Sequence, residues 1–431
     1  MKLWDKGYEL DGMIEKFTVG KDRELDLFLA PYDIEGTIAH VKMLAKVGLL
    51  AESELEVLLP ELEALHSQAL RGEFSIDEGV EDVHSQVEFM LTNKLGDVGK
   101  KVHTGRSRND QVLVDLKLFA RAELVKVRDA VKELFDILIE RSEQCKDILM
   151  PGYTHLQVAM PSSFGLWFGA YAESLCNDME LLHAAYNVAN RNPLGSAAGY
   201  GSSAPIDRDM TTSTLGFAGL DVNSVYAQMS RGKTERIISF AMASVAETVG
   251  RMAMDCCLFN SQNFGFVHLP DTLTTGSSIM PHKKNPDVFE LLRAHCNRIN
   301  SIPEQIRMVT SNLPSGYFRD MQLVKEIFIP MFAEMKDCLA IAAYAVKNMD
   351  VTENLMDNPL YRPAFSVEEV NRRVREEGVP FRDAYRQVGR EIMDGTFIYK
   401  GTLEHTHQGS IGNLCNDRIK ARMENLINIW F

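Results

Sequence analysis

The placing of proline constrains this chain more than any other feature. No proline occurs between Pro60 and Pro151, or between Pro205 and Pro270. Proline inside a helix removes a hydrogen-bond donor and collides with the preceding turn, so long proline-free runs are where long helices can form. Both runs are rich in Ala, Leu, Glu, Lys, Met and Val, which suits helices. Within 109–147, Val112, Leu116, Phe119, Leu124, Val127, Val131, Leu134 and Leu138 recur near helical spacing. A continuous helix there would be about 55 Å long, more than the diameter of a small domain. It needs apolar partners along its whole length, so the pattern predicts a bundle. Similar segments are 162–190, 233–262, 286–311 and 322–349, with Pro303 and Pro330 expected to kink or break the last two.

Alternating strand patterns are scarce, so the expected fold class is all-α. With 431 residues the chain exceeds one simple core. Three helical domains are expected: residues 1–107 as shorter helices, 108–353 as a central long-helix bundle, and 354–431 as a cap. The cap would begin at Asp357-Asn358-Pro359 and Arg362-Pro363. Several bundle segments are apolar over more than one face, which favours an oligomerisation core over a large monomer core.

The net charge of −14 speaks against a nucleic-acid or membrane-surface binder. An anionic substrate would need a local basic pocket, because the global field repels it. The seven cysteines are scattered and odd in number, with no C-x-x-C pair. That supports neither a disulfide framework nor a zinc site and suggests reduced thiols in the cytoplasm. The first residues, Met1 to Lys6, form no apolar secretory segment. The most apolar long stretch, 236–260, carries Glu247, Arg251 and Asp255 and reads as a buried bundle helix rather than a membrane span.

Chemistry concentrates in five stretches. Gly276-Ser277-Ser278-Ile279-Met280-Pro281-His282-Lys283-Lys284-Asn285-Pro286 reads as a mobile loop feeding a helix. Asn285 is the expected cap and Pro286 fits the first turn, with Asp287 and Glu290 near the helix start. Ser277 offers a hydroxyl for proton chemistry and Lys283 an ammonium for a carboxylate; the bland reading is a solvated turn. His103-Thr104-Gly105-Arg106-Ser107-Arg108-Asn109-Asp110-Gln111 precedes the longest helix, with Asn109 as expected cap, and could bind carboxylates. Ordinary capping with surface arginines explains it equally well.

Pro151-Gly152-Tyr153-Thr154-His155-Leu156-Gln157 reads as a loop between two bundle helices, with Pro161 opening the second. A lone histidine there is more often structural than catalytic. Glu81-Asp82-Val83-His84 reads as a helix-start acid cluster with a core histidine, and Tyr317 to Lys325 as a loop running into a helix with an exposed lysine.

Taken together, the motifs change that weighing. Gly276 to Asn285 resembles the signature of the fumarate-forming lyase superfamily, which includes fumarases, aspartases, adenylosuccinate lyases and argininosuccinate lyases. His103 to Gln111 is similar to the corresponding stretch of argininosuccinate lyases in particular. The Thr154-His155-Leu156-Gln157, Glu81-to-His84 and Tyr317-to-Lys325 stretches match the same family. The resemblance runs from about residue 33 to the Gly378-Val379-Pro380-Phe381-Arg382 stretch. It implies a fumarase/aspartase-like fold and a homotetramer whose active sites combine three chains.

It further implies β-elimination of argininosuccinate to arginine and fumarate, without metal or organic cofactor. Ser277 is then the base, assisted by Lys283, and His155 the acid, supported by Glu290. Ser107, Arg108, Asn109, Thr154, Asn285, Tyr317, Gln322, Lys325, His84 and Arg231 are placed on the substrate by the resemblance, with Asp82 supporting His84.

Three departures stand out. Leu3-Trp4-Asp5-Lys6-Gly7-Tyr8 replaces the usual opening, and no substrate-binding serine matches within Phe17-Thr18-Val19-Gly20-Lys21. Tyr226-Ala227-Gln228-Met229-Ser230-Arg231-Gly232 keeps the family's arginine but loses both acids beside it. These changes fall where the amino-acid end of the substrate would be read. A related lyase acting on adenylosuccinate or aspartate is disfavoured by the His103–Gln111 stretch and by Lys283-Lys284-Asn285. A silent structural relative, as some lens proteins of the family are, is disfavoured by Ser277, His155, Lys283 and Glu290.

Overall fold

The structure, a computed structural model, describes residues 11–430. The departure at Leu3–Tyr8 lies outside them. Among the described residues are fifteen α-helices and six short strands, and the strands form only three two-stranded antiparallel pairs. The chain is all-α, as its periodicity predicts. The five long segments are Arg108–Gln144, Phe164–Ala189, Lys233–Phe259, Asp287–Val309 and Met321–Asn348. Pro303 and Pro330 lie inside the last two, and neither helix ends at its proline. Burial of these helices outweighs the lost backbone bond, a tertiary override of a local preference.

The first of two compact units takes the described part of Met1–Val127 with Leu181–Ala243 and Arg298–Met335. Its apolar cluster joins helices Asp22–Lys46, Glu52–Leu70 and Val83–Leu95 through Ile34, Val41, Leu44, Leu58, Leu62, Val83, Val87 and Leu91. Each such side chain, fully buried, contributes about 1.5–3 kcal/mol. Phe119 and Phe328 meet Phe332 edge-on at 5.4 and 5.1 Å, tying Arg108–Gln144 to Met321–Asn348. This packing sets the ends of the helices that carry polar residues.

The second unit takes Arg128–Glu180, Ser244–Asn297 and Lys336–Phe431. An aromatic group of Trp167, Phe168, Phe259, Phe264 and Phe266 fills it, and Tyr153 joins through Phe264 at 5.5 Å. Helices Ser366–Glu376 and Phe381–Met393 close over Val370, Ala384, Val388 and Phe397. Lys233–Phe259 is long and apolar enough to cross a membrane, but 56% of its most apolar window is buried inside the fold. That burial matches a bundle helix.

Candidate active site

In the first unit the site is built around the start of helix Val83–Leu95. Asp82 caps it, accepting from the Ser85 N–H at 2.9 Å and the Ser85 hydroxyl at 2.7 Å. The cap fixes His84 in the first turn, where it is buried. Its Nδ1 lies 2.7 Å from Asp33 Oδ1 and 3.7 Å from Asp115 Oδ2. Burial alone would lower the His84 pKa, but the carboxylates of Asp33, Asp82 and Asp115 prevail and lift it to about 9. The partner the resemblance implied, Asp82, thus acts on His84 only through its charge. The hydrogen bond comes from Asp33.

Arg108 is gripped by the same turn. Its Nε is 2.9 Å from Asp82 Oδ2, one Nη donates to Glu81 Oε2 at 3.1 Å, and the other to Ser85 Oγ at 3.1 Å. Glu81 Oε1 accepts from Arg319 at 2.9 Å, so one carboxylate bridges two guanidinium groups. The helix Arg108–Gln144 is capped by Ser107 rather than Asn109. Ser107 Oγ accepts from the Asn109 N–H at 3.2 Å, and Asp110 Oδ1 accepts from the Ser107 N–H at 2.9 Å. Asn109 is left half-buried with its side chain uncommitted to the cap. The other Asp110 oxygen holds the Gly195 and Ala197 N–H groups, each at 2.9 Å.

Lys325 is buried, not exposed as the bland reading had it. Its ammonium lies 2.6 Å from Asp22 and 2.7 Å from Asp26, both on helix Asp22–Lys46. Burial raises the Asp22 pKa to about 6 against the opposing pull of Lys325. Gln322 donates to the Thr18 and Val19 carbonyls at 2.9 and 2.8 Å, closing the end of helix Gly12–Val19. Arg231 is buried, donates to the Met321 carbonyl at 3.3 Å and stands 5.3 Å from the Tyr317 ring centroid. His84, Ser107, Arg108, Asn109, Arg231, Tyr317, Gln322 and Lys325 therefore all belong to this unit.

In the second unit, Thr154 and His155 lie on a β-hairpin, Leu149–Thr154 against Gln157–Ser163. This corrects the expected loop; Pro161 pairs with Pro151 instead of opening a helix. His155 and Leu156 form the two-residue turn with φ of 54° and 56°, a left-handed conformation at both central positions. Neither is glycine or asparagine, so the turn holds the exposed imidazole at its tip at some cost in backbone strain.

Ser277 sits at the base of a second small hairpin, Thr275–Gly276 against Lys284–Asn285. Its Oγ accepts from the Met280 N–H at 3.1 Å and the Ile279 N–H at 3.3 Å. Two donors on one hydroxyl oxygen favour negative charge there. Asn285 does not cap the following helix: it belongs to the strand, and its amide turns back to the Gly276 carbonyl at 3.5 Å. The helix Asp287–Val309 starts at Pro286, whose carbonyl accepts from the N–H groups of Phe289 and Glu290. Lys284 is tied to Asp271, while Lys283 and Glu290 are exposed. No hydrogen bond or ion pair joins His155 to Ser277 among the described residues.

Sequence reasoning missed Asp22, Asp26, Asp33, Asp110, Asp115 and Arg319. A signal existed for the first three: they lie four and seven residues apart on one helix, with Asp26 and Asp33 buried. Asp33, His84 and Asp115 are also ligand-type side chains whose donor atoms lie within 4.8 Å of one another.

A sequence model of a lyase family matches residues 7–300. The chain is 61% identical over 427 residues to an argininosuccinate lyase of Phocaeicola vulgatus, covering 99% of this chain and 96% of the relative. It is 40% identical over 393 residues to one from Thermotoga neapolitana, covering 90% and 98%. Among solved structures it is similar to an EDDS lyase in complex with formate, with a TM-score of 0.77, 21% identity, and coverage of 98% and 91%. A class II fumarase from Schistosoma mansoni matches with a TM-score of 0.74 and 16% identity over 97% and 93%. Those two distant structures establish the fold alone. With the near-full-length relatives, the conclusion is that this chain belongs to the argininosuccinate lyase family.

Proposed function

We propose that the chain is a cofactor-independent carbon–nitrogen lyase that splits argininosuccinate into arginine and fumarate, a step of arginine synthesis. In this reading Ser277 Oγ takes a proton from the succinyl carbon next to a carboxylate. The electron pair spreads into that carboxylate, and the C–N bond on the adjacent carbon then breaks. His155 protonates the departing guanidino nitrogen, supported by Glu290. The two products carry all the atoms of the substrate.

The observation that carries the reading is the pair of N–H groups on Ser277 Oγ. An ordinary hydroxyl is a very weak base, and donors aimed at its oxygen stabilise the alkoxide it must become. Lys283, six residues on in the same loop, is proposed to add a positive charge to the site. A preorganised donor of this kind is worth about 3–4 kcal/mol of barrier. Ser107, Arg108, Asn109, Thr154, Asn285, Tyr317, Gln322, Lys325, His84 and Arg231 are proposed to bind the substrate. With a net charge of −14, an anionic substrate needs local donors, and the proposed binding set supplies them from Arg108, Arg231 and Lys325.

We place the enzyme in the cytoplasm as a homotetramer whose active sites combine several chains. The seven free cysteines accord with a reducing compartment. Exposed apolar residues on the long helices, such as Phe240, Leu291, Leu323 and Tyr344, accord with subunit contacts. The test is to follow fumarate by its ultraviolet absorbance with argininosuccinate, adenylosuccinate and aspartate as separate substrates. Fumarate from argininosuccinate alone supports the proposal. Fumarate only from another of them keeps the chemistry and overturns the leaving group.

A further inference from the structure

We propose that Asp33 and Asp115 are positioning residues for the reaction, acting through His84 to fix the grip of Glu81, Asp82 and Ser85 on Arg108. The proposal rests on the lyase reading above for the reaction it names. His84 shares its helical turn with Asp82 and Ser85, and all three of the groups that hold Arg108 lie within three residues of it. That turn is therefore the mount for Arg108.

The mount is pinned from two other helices. Asp33 comes from Asp22–Lys46 and meets His84 Nδ1 at 2.7 Å. Asp115 comes from Arg108–Gln144 itself, seven residues beyond Arg108, and lies 3.7 Å from the same nitrogen. Seven residues are two turns, about 10 Å along the axis. Helix Arg108–Gln144 thus contacts the mount twice, through Arg108 at its start and through Asp115 two turns in. Two contacts on one rigid helix fix both the separation and the roll of the mount, which a single flexible arginine could not.

Asp33 is 1% exposed and Asp115 0% exposed, and burying two carboxylates against one imidazole is unfavourable compared with apolar packing. Among the described residues, both Asp115 oxygens and the second Asp33 oxygen are without hydrogen-bond partners. Burial and the Asp33 charge push the Asp115 carboxyl up, and Arg106 supplies a further positive charge nearby. His103 on the preceding turn feels the same charges and is pushed down to about 4 by burial, Arg106 and His84. His84 Nδ1 meets Asp33 through a hydrogen bond and faces Asp115 only at 3.7 Å. The same three side chains could close on a divalent ion instead, and metal analysis separates the two.

The experiment is a double-mutant cycle on the full-length protein. Asp33→Asn, Asp115→Asn and Arg108→Lys are made singly, and each aspartate change is combined with Arg108→Lys. Both kcat/KM for fumarate release and the affinity for added fumarate are measured. The binding arm needs no turnover, so a wild type that fails to cleave argininosuccinate counts against the lyase reading and leaves this proposal to be decided by affinity. The expected result is non-additivity: each double variant loses about tenfold less than the product of its singles. Asp221→Asn breaks the buried Lys117 pair at a separate place and should combine with Arg108→Lys additively. Additive losses for Asp33 and Asp115 would overturn the proposal, as would a stoichiometric divalent metal in the purified protein. If Asp33→Asn does not fold, the Asp115→Asn cycle decides alone.

Discussion

Lys325 Nζ stands between Asp22 Oδ1 at 2.6 Å and Asp26 Oδ1 at 2.7 Å, with its own side chain only 5% exposed. One ammonium faces two carboxylates, and the two are not equivalent. Asp26 is 1% exposed and its second oxygen accepts from the Val83 N–H at 3.3 Å, so it is bound on both sides. Among the described residues Asp22 has no donor besides Lys325, and burial raises its pKa to about 6. Asp26→Asn should therefore destabilise the protein by about 3–5 kcal/mol, the usual loss when a buried pair is broken. Asp22→Asn should be tolerated or stabilising near neutral pH, since it removes a charge that burial disfavours. Urea unfolding of both variants checks this, and equal losses would refute the asymmetry.

The pH dependence of Asp22 follows with a definite sign. Its folded pKa of about 6 exceeds the ordinary value of 3.8, so the folded state binds the proton more tightly than the unfolded state. Folding is then most favoured by this group below about pH 4, and that contribution is lost as pH rises through 6. Asp22→Asn should flatten the stability profile between pH 4 and 6 relative to wild type. A parallel profile would show that Asp22 titrates normally.

His84 acts in a higher window. Its folded pKa of about 9 lies above the ordinary 6.5, so its contribution is fully present below pH 6.5 and is lost as pH rises through 9. The shift corresponds to roughly 3 kcal/mol, as an order of magnitude. His84→Gln should lose stability at pH 6 and lose progressively less toward pH 9.5, read by thermal unfolding at each pH. A loss that does not vary with pH would mean His84 is neutral in the folded protein.

Much of this was legible in the sequence, for a physical reason. Long helices write themselves in apolar spacing and in the avoidance of proline, and the five segments fell within a few residues of their predicted ends. The stretches around His84, Arg108, His155, Ser277 and Lys325 stood out through their joint resemblance to one lyase family, since residue types alone left ordinary caps and turns as equal readings. Their partners did not. Asp33 lies 51 residues from His84 and Asp26 lies 299 from Lys325, and no local pattern links acids to bases over such distances. The hairpin bearing His155 escaped for the opposite reason: its turn lacks the Asn-Gly or Asp-Gly signal that normally marks one.

Ser277 allows a clean separation of chemistry from stability. Its hydroxyl accepts only from two N–H groups of a largely exposed turn. Ser277→Ala should leave unfolding within about 1 kcal/mol of wild type, because water can replace those bonds. It should lower kcat by about a thousandfold or more if Ser277 is the base. Exchange of the succinyl β-proton with solvent distinguishes the roles. Exchange should vanish in Ser277→Ala and persist in His155→Ala; exchange that survives without Ser277 would assign the base elsewhere.

The His155 turn supplies the last prediction, in which activity and stability move in opposite directions. Both central residues have positive φ, which asparagine and glycine adopt at less cost than histidine or leucine. His155→Asn keeps a polar side chain of modest size and suits the left-handed conformation. It should therefore stabilise the hairpin by about 1 kcal/mol, the lower end of the strain at such a residue. It also removes the imidazole proposed as the acid toward the leaving nitrogen, so kcat should fall about a hundredfold, the usual contribution of a positioned acid. Leu156→Gly relieves strain at the neighbouring position without touching the imidazole. It should match the gain in stability while keeping the pH dependence of kcat. Thermal unfolding and steady-state kinetics on the two variants decide the matter. If His155→Asn lost stability, the turn would be held by contacts stronger than its own strain, and the imidazole would belong to the structure rather than to the chemistry.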